Sequence, residues 1–324
     1  MRKVSSTSRR GFLKIATSLV ATAAIGGDFN ASHPALSRMK LGATSDGFSE
    51  DFEEALRLMK SHGLSWVEIR SLWGKYNTEA TPEQIRSVKE LMKKYEFRCS
   101  VVDSALYKCV LPGTKDGGER DPYPYSGQMD LLKRAMDRAH AWGTDKVSGF
   151  TFWRVSESEK IYPRIGEELA RAAEVAKGGG IRLAIENEES CNGGTGHEVA
   201  AILKMVPASN IGFTWDVGNG YWNREVSYPD GYNSLDKSRI WNVHLKGIQC
   251  DSGMSNCRES FVDDSQIDLL GQLKALVRDH YHETMSLECE FKAPGLSHQQ
   301  TTQRSMEGLL RIADKAVKET AGRM

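Results

Sequence analysis

Four side chains in the second half of the chain have the types and spacing of a metal-centred acid–base site: Glu186, Asp216, His244 and Glu288. Glu186 closes the apolar run 181–185 (IRLAI), Asp216 closes 211–215 (IGFTW), His244 lies in 240–245 (IWNVHL) and Glu288 follows 284–287 (TMSL). Three carboxylates and one imidazole suit a five- or six-coordinate divalent ion, Mn²⁺, Mg²⁺, Co²⁺ or Zn²⁺, with positions left for substrate oxygens. Singly each residue says little, because a histidine at a strand end is commonly a hydrogen-bonded structural residue and a rim glutamate is commonly solvated. Their joint weight comes from all four falling at one phase of a repeat.

Such residues converge only if their strands run parallel and end on a common face. The chain from Met39 onward supplies that rhythm. Apolar runs at 39–43, 66–69, 97–102, 146–150, 181–186, 211–216, 240–245 and 284–288 read as eight strands. Between them lie amphipathic segments: one with Ser49 as N-cap and Phe52, Ala55, Leu56 and Met59 on one face, one opened by Thr81-Pro82, then 128–142, 161–177, 196–205, 267–280 and 297–318. Eight strands each followed by a helix predict a single-domain α/β (β/α)₈ TIM barrel over 39–324, with ligands bound at the strands' carboxyl ends. The interval 220–239, rich in aromatics and glycine and carrying Pro229, reads as an extended loop rather than a sixth helix. The interval 107–125 reads as a long irregular loop, a rim or lid.

The amino terminus stands apart from this pattern. Ser8-Arg9-Arg10-Gly11-Phe12-Leu13-Lys14, followed by an apolar run to Gly27, matches a twin-arginine export signal. Residues 1–30 are therefore expected to be a signal peptide read by the twin-arginine translocase, 31–38 a leader, and the mature protein periplasmic. The apolar run is short for a membrane span. In the whole chain 43 basic residues balance 43 acidic ones, which gives no global attraction to nucleic acid or anionic membrane. Six cysteines are too few for a dense disulfide framework; Cys250 and Cys257 flank a polar loop and could close a small ring, and the alternative is that all six are free.

The segments LAIEN (183–187), FTWDVGN (213–219), NVHLKG (242–247) and SLECE (286–290) resemble the xylose isomerase-like TIM barrels, also called sugar phosphate isomerases/epimerases, over 39 to about 318. The resemblance implies that Glu186, Asp216, His244 and Glu288 bind one divalent metal ion, most simply Mn²⁺, and that Glu186 and Glu288 double as acid and base. It also implies a carbohydrate substrate and a chain that commonly associates into homo-oligomers. The chemistry is proton removal beside a carbonyl, with a metal stabilising the enediolate while one carboxylate takes the proton and another returns it. Isomerisation and epimerisation follow that course; β-elimination from a keto sugar or 3-keto glycoside shares its first step. A lyase and a non-catalytic sugar-binding barrel are the competing readings, separated by an unsaturated keto product in the one case and absence of turnover in the other.

One position departs from the family. Where many relatives carry DxxH, this chain has Asp216-Val217-Gly218-Asn219, and an asparagine amide holds a substrate hydroxyl rather than a metal or a proton. Further substrate-binding candidates follow from phase: Lys246, two residues past His244; Glu68 on the second strand; Trp153 and Arg154 after the fourth; Trp222 and Arg224 after the sixth. Glu188 and Glu290 are alternative ligands should the strands end two residues later, and His197 is expected to be structural.

Overall fold

Short runs rich in β-branched and aromatic residues form the strands, and the amphipathic segments between them form helices. The structure, a computed structural model, describes residues 33–114 and 123–321; the twin-arginine segment lies outside the described residues. The strands are β1 (Lys40–Thr44), β2 (Trp66–Ile69), β3 (Ser71–Leu72), β4 (Lys75–Tyr76), β5 (Arg98–Val102), β6 (Lys146–Gly149), β7 (Arg182–Glu186), β8 (Ile211–Asp216), β9 (Ile240–Leu245), β10 (Gly247–Asp251), β11 (Ser255–Ser260) and β12 (Thr284–Leu287). The α-helices are α1 (Ser45–Phe48), α2 (Phe52–Ser61), α3 (Pro82–Tyr95), α4 (Gln128–Trp142), α5 (Tyr162–Gly178), α6 (Gly196–Lys204), α7 (Tyr232–Ser234), α8 (Leu269–Arg278) and α9 (His298–Ala321).

Eight of the strands close a barrel in the order β1-β12-β9-β8-β7-β6-β5-β2, and every ladder is parallel. This is the (β/α)₈ barrel that the sequence rhythm predicts. Two antiparallel hairpins are added at its carboxyl end: β3–β4 after β2, and β10–β11 after β9. A Cys250–Cys257 disulfide joins the strands of the second, while Cys99, Cys109, Cys191 and Cys289 are buried and take no part in it.

Alternation along each strand sorts side chains between two environments. In β8, Ile211, Phe213 and Trp215 face the helices, and Trp215 donates its indole N–H to Gln272 Oε1 on α8 at 3.0 Å; Thr214 and Asp216 take the opposite phase, toward the barrel axis. The helices are set by local signals. Thr81 and Thr195 cap α3 and α6 with full capping boxes through Gln84 and Glu198. The N-cap of α2 is Asp51, whose carboxylate accepts from Glu54 N at 2.8 Å, and not Ser49, which ends the preceding turn. The α2 residues Phe52, Ala55, Leu56 and Met59 are all buried. Between β8 and β9 no full helix forms: a 3₁₀ turn (Asn219–Asn223), an irregular turn (Ser227–Gly231) holding a cis Tyr228–Pro229 bond, and one turn of α7 fill the interval.

The amino end of the barrel is plugged by ions. Lys146 Nζ donates to Trp241 O at 3.1 Å and to Glu283 Oε2 at 3.0 Å. Arg182 reaches Glu283 Oε1 at 2.9 Å and both Asp145 oxygens at 2.8 and 3.0 Å.

Candidate metal centre

Glu186 ends β7, Asp216 ends β8, His244 is the penultimate residue of β9, and Glu288 follows β12. These strands are consecutive neighbours in the barrel, and β8–β9 pairing sets Asp216 directly beside His244. One ligand atom from each of the four lies within 4.8 Å of the others, and all four side chains are buried. His244 Nδ1 faces Glu186 Oε1 at 3.3 Å, Glu288 Oε2 at 3.2 Å and Asp216 Oδ2 at 3.7 Å. Glu188 and Glu290 fall outside this group: Glu188 pairs with Lys108 at 3.2 Å and Glu290 with Arg70 at 2.6 Å.

The donor set fits a divalent cation. Asp216 Oδ2 and Glu288 Oε2 are buried and accept no hydrogen bond. Lys246 Nζ lies 3.0 and 2.8 Å from them, close enough to pair as charges but off the hydrogen-bonding direction. Leaving two carboxylate lone-pair sets unsatisfied in a buried pocket is costly unless a cation can use them.

The neighbours fix the histidine. His244 Nε2 contacts Glu68 Oε1 at 3.1 Å, and Glu68, fully buried, accepts from Asn242 Nδ2 at 3.1 and 3.0 Å. A carboxylate behind an imidazole holds the ring and its tautomer so that the other nitrogen faces the metal position. Glu68 therefore lies beneath His244 inside the barrel, not on the substrate-binding rim expected from its phase alone. Asn219 is built into the cluster: its N–H donates to Asp216 Oδ1 at 2.7 Å, its amide NH₂ to Glu186 Oε1 at 3.1 Å, and its Oδ1 accepts from Lys246 at 3.2 Å. The stem of Lys246 runs so close to Gly218 that a Cβ there would meet its Cγ and Cδ at 2.5 and 2.6 Å. Only glycine before Asn219 leaves room for that lysine.

Burial and charge separate the two glutamates. Burial lifts the Glu186 carboxyl well above its usual range, although His244 opposes the shift. Burial would lift Glu288 too, but Lys246, His244 and Arg70 together hold it well below. The His244 imidazole stands well above its ordinary value: burial disfavours its charge, and Glu68, Glu186 and Glu288 outweigh burial.

The other expected rim residues are not brought to the centre. Arg154 is clamped on Glu198 Oε1 at 2.7 Å and on the Cys191 and Asn192 carbonyls, where it braces the start of α6. Trp153 is half-buried, bridged to Cys191 through the backbone, with Lys108 Nζ 5.9 Å from its ring. Trp222 is 36% exposed and Arg224 is exposed at the end of its turn. His197 is tied to Glu225 at 2.6 Å beside the α6 start, as expected.

A cavity of about 420 Å³ opens over the cluster, and several residues of its wall carry no signal in the strand pattern, Arg70, Asp103 and Lys108 among them. Arg70 bonds Asp46 at 2.9 Å and Glu288 at 2.7 Å. Asp103 accepts from Ser148 Oγ, and its carboxyl is pushed up to about 7 by burial and by Glu68. Arg70, one residue past β2, sits at a strand end like the ligands, and that position was its only cue; Lys108, in irregular chain, had none.

Comparison with known proteins agrees with this architecture. A family model described as xylose isomerase-like TIM barrel matches residues 56–312, and the chain belongs to that family. Among solved structures, a protein called IolI with a bound zinc atom superposes at TM-score 0.68 and 18% identity, covering 86% of this chain and 99% of its own. An L-ribulose 3-epimerase gives 0.66 and 15%, covering 87% and 97%. A xylose isomerase-like barrel from Mycobacterium smegmatis in complex with magnesium gives 0.65 and 14%, covering 87% and 98%. No curated protein matches the chain in sequence.

Proposed function

We propose that this chain is a divalent-metal-dependent isomerase or epimerase of a keto sugar, with the ion held by Glu186, Asp216, His244 and Glu288. The observation that carries the reading is the buried four-residue cluster with two carboxylate oxygens that accept no hydrogen bond. An ion bound there supplies Lewis-acid stabilisation for the negative charge that develops on substrate oxygens when an adjacent C–H loses its proton. Of the two glutamates, Glu186 and Glu288, one takes that proton at a carboxylate oxygen and the other returns one. The Lys246 ammonium and the Asn219 amide orient the substrate's hydroxyl oxygens. An L-ribulose 3-epimerase and a D-tagatose 3-epimerase-like protein share the fold, which supports ketose chemistry, and the zinc- and magnesium-bound neighbours support a metal; Mn²⁺ is our first choice. We infer that the protein works after export through the twin-arginine pathway, a reading supported by the Ser8–Lys14 motif and by a disulfide suited to an oxidising compartment.

Metal analysis of the purified protein tests the centre. Wild type is expected to hold about one divalent ion per chain, and folded His244→Ala and Asp216→Ala variants to lose it. Unchanged metal content in those variants would overturn the site. A screen of keto sugars and 3-keto glycosides then separates isomerised product from the unsaturated ketone of a lyase.

A further inference from the structure

We propose that the sugar taken by this cavity is uncharged: the wall selects a neutral polyhydroxylated ketose and rejects its phosphorylated or carboxylated counterparts. This rests on the carbohydrate reading above and names the substrate class within it.

Besides the ligands Glu186 and Glu288, the cavity wall presents the carboxylates of Asp46, Asp103, Glu188, Glu189 and Glu290, against two cations, Arg70 and Lys108. Counted as formal charges, these seven carboxylates outweigh Arg70, Lys108, Lys246 and a bound divalent ion. Both wall cations are already paired with carboxylates. Arg70 Nε meets Asp46 at 2.9 Å, and its Nη1 meets Glu288 at 2.7 Å and Glu290 at 2.6 Å. Lys108 Nζ meets Glu188 at 3.2 Å and rests 4.6 Å from the Phe150 ring centroid. A phosphate monoester, carrying about −1.5 to −2 charge at neutral pH, would have to displace a carboxylate from one of them.

The usual phosphate position in this fold is built differently here. Barrels that bind phosphate commonly use the loops after the seventh and eighth strands. In this chain the seventh barrel strand, β9, runs directly into the β10–β11 hairpin, and the segment after β12 delivers Glu290, another carboxylate.

The same wall matches a neutral sugar in hydrogen-bond sense. Ionised carboxylates only accept, and the hydroxyls of a ketose supply donors, whereas a phosphate dianion supplies none. Phe150 and Tyr76 give the wall apolar surface for the C–H face of a sugar.

The test is calorimetric titration of the metal-loaded full chain with the D-ketohexoses and their 6-phosphates, and with ketopentoses and 3-keto glycosides, at low ionic strength, with metal retention checked throughout. At least one neutral ketose should bind, and its 6-phosphate should bind about tenfold more weakly or worse, as like-charge apposition demands. Added salt should narrow the gap. So should Glu290→Gln, which releases one carboxylate from Arg70 at an exposed position; if that variant fails to fold, the wild-type comparison and its salt dependence decide alone. A 6-phosphate that binds as tightly as its neutral parent overturns charge selection and leaves the carbohydrate reading standing. If no ketohexose, ketopentose or 3-keto glycoside binds in any form while the metal does, the carbohydrate reading fails and this inference with it.

Discussion

The two ends of the barrel are made from the same ingredients and differ in one respect. At the amino end Lys146, Arg182, Asp145 and Glu283 lock together, and each of these groups has its partners. At the carboxyl end carboxylates, a histidine and a lysine also converge, yet Asp216 Oδ2 and Glu288 Oε2 accept no hydrogen bond. A closed ion network holds a fold in register; one left open is poised for a ligand. Between the two ends Asn242, Glu68 and Thr284 form a buried polar bridge, with Thr284 donating to Asn242 Oδ1 at 3.1 Å. This barrel axis is unusually polar for a fold whose interior is commonly packed with branched apolar side chains.

The contrast can be broken at either end. Replacing Lys146 with Met strips a donor from Glu283 and from the Trp241 carbonyl, and should cost about 2–3 kcal/mol of stability, since Glu283 keeps Arg182. Chemical denaturation reads that cost, while metal affinity in the folded variant should stay as in wild type; lost affinity would mean that the two ends are one device. Glu68→Gln attacks the bridge from the other side. It should weaken metal binding by about 10–100-fold, by loosening His244, with the apo protein still folded. An unchanged dissociation constant would reduce Glu68 to a packing residue.

The third effect is a pH slope. Glu68, Glu186 and Glu288 hold the metal-free His244 imidazole well above its ordinary pKa, so a proton competes with a metal ion for its Nδ1. A metal ion must displace a proton from His244 Nδ1 and one from Glu186, whose carboxyl burial lifts, so affinity should rise with pH by about tenfold per unit for each proton released. Titrations in buffers of different ionisation enthalpy count the protons released, and a count of zero contradicts the assigned charge state.

Much of this was legible in the sequence because period-two strands announce which residues share a face, and the four candidate ligands sit at the ends of such strands. What the phase of a strand withholds is the partner across the barrel. The stagger of a closed barrel decides that Glu68 on β2 meets His244 on β9 rather than the solvent-facing rim. Lys246 shows the gain from the same logic: it follows His244 in phase, and its ammonium enters the cluster instead of remaining solvated. Arg154, Trp222 and Arg224 lie past strand ends, where loop geometry sets direction and no periodicity speaks for it. The β3–β4 hairpin, with two residues in each strand, was too short to leave a pattern. The Cys250–Cys257 spacing allowed a bond, but only the pairing of β10 with β11 brings the two sulfurs together.

The pairing of β1 with β12 has a further consequence, in time rather than in space. The ring closes only when Gly42 aligns with Ser286, two residues before the last of the four ligands. Glu186, Asp216 and His244 lie on β7, β8 and β9, but the four-residue cluster is incomplete until β12 inserts between β9 and β1. On the proposed reading, loading with metal would report that closure has finished; a chain cut before β12 lacks both the β1–β12 seam and Glu288.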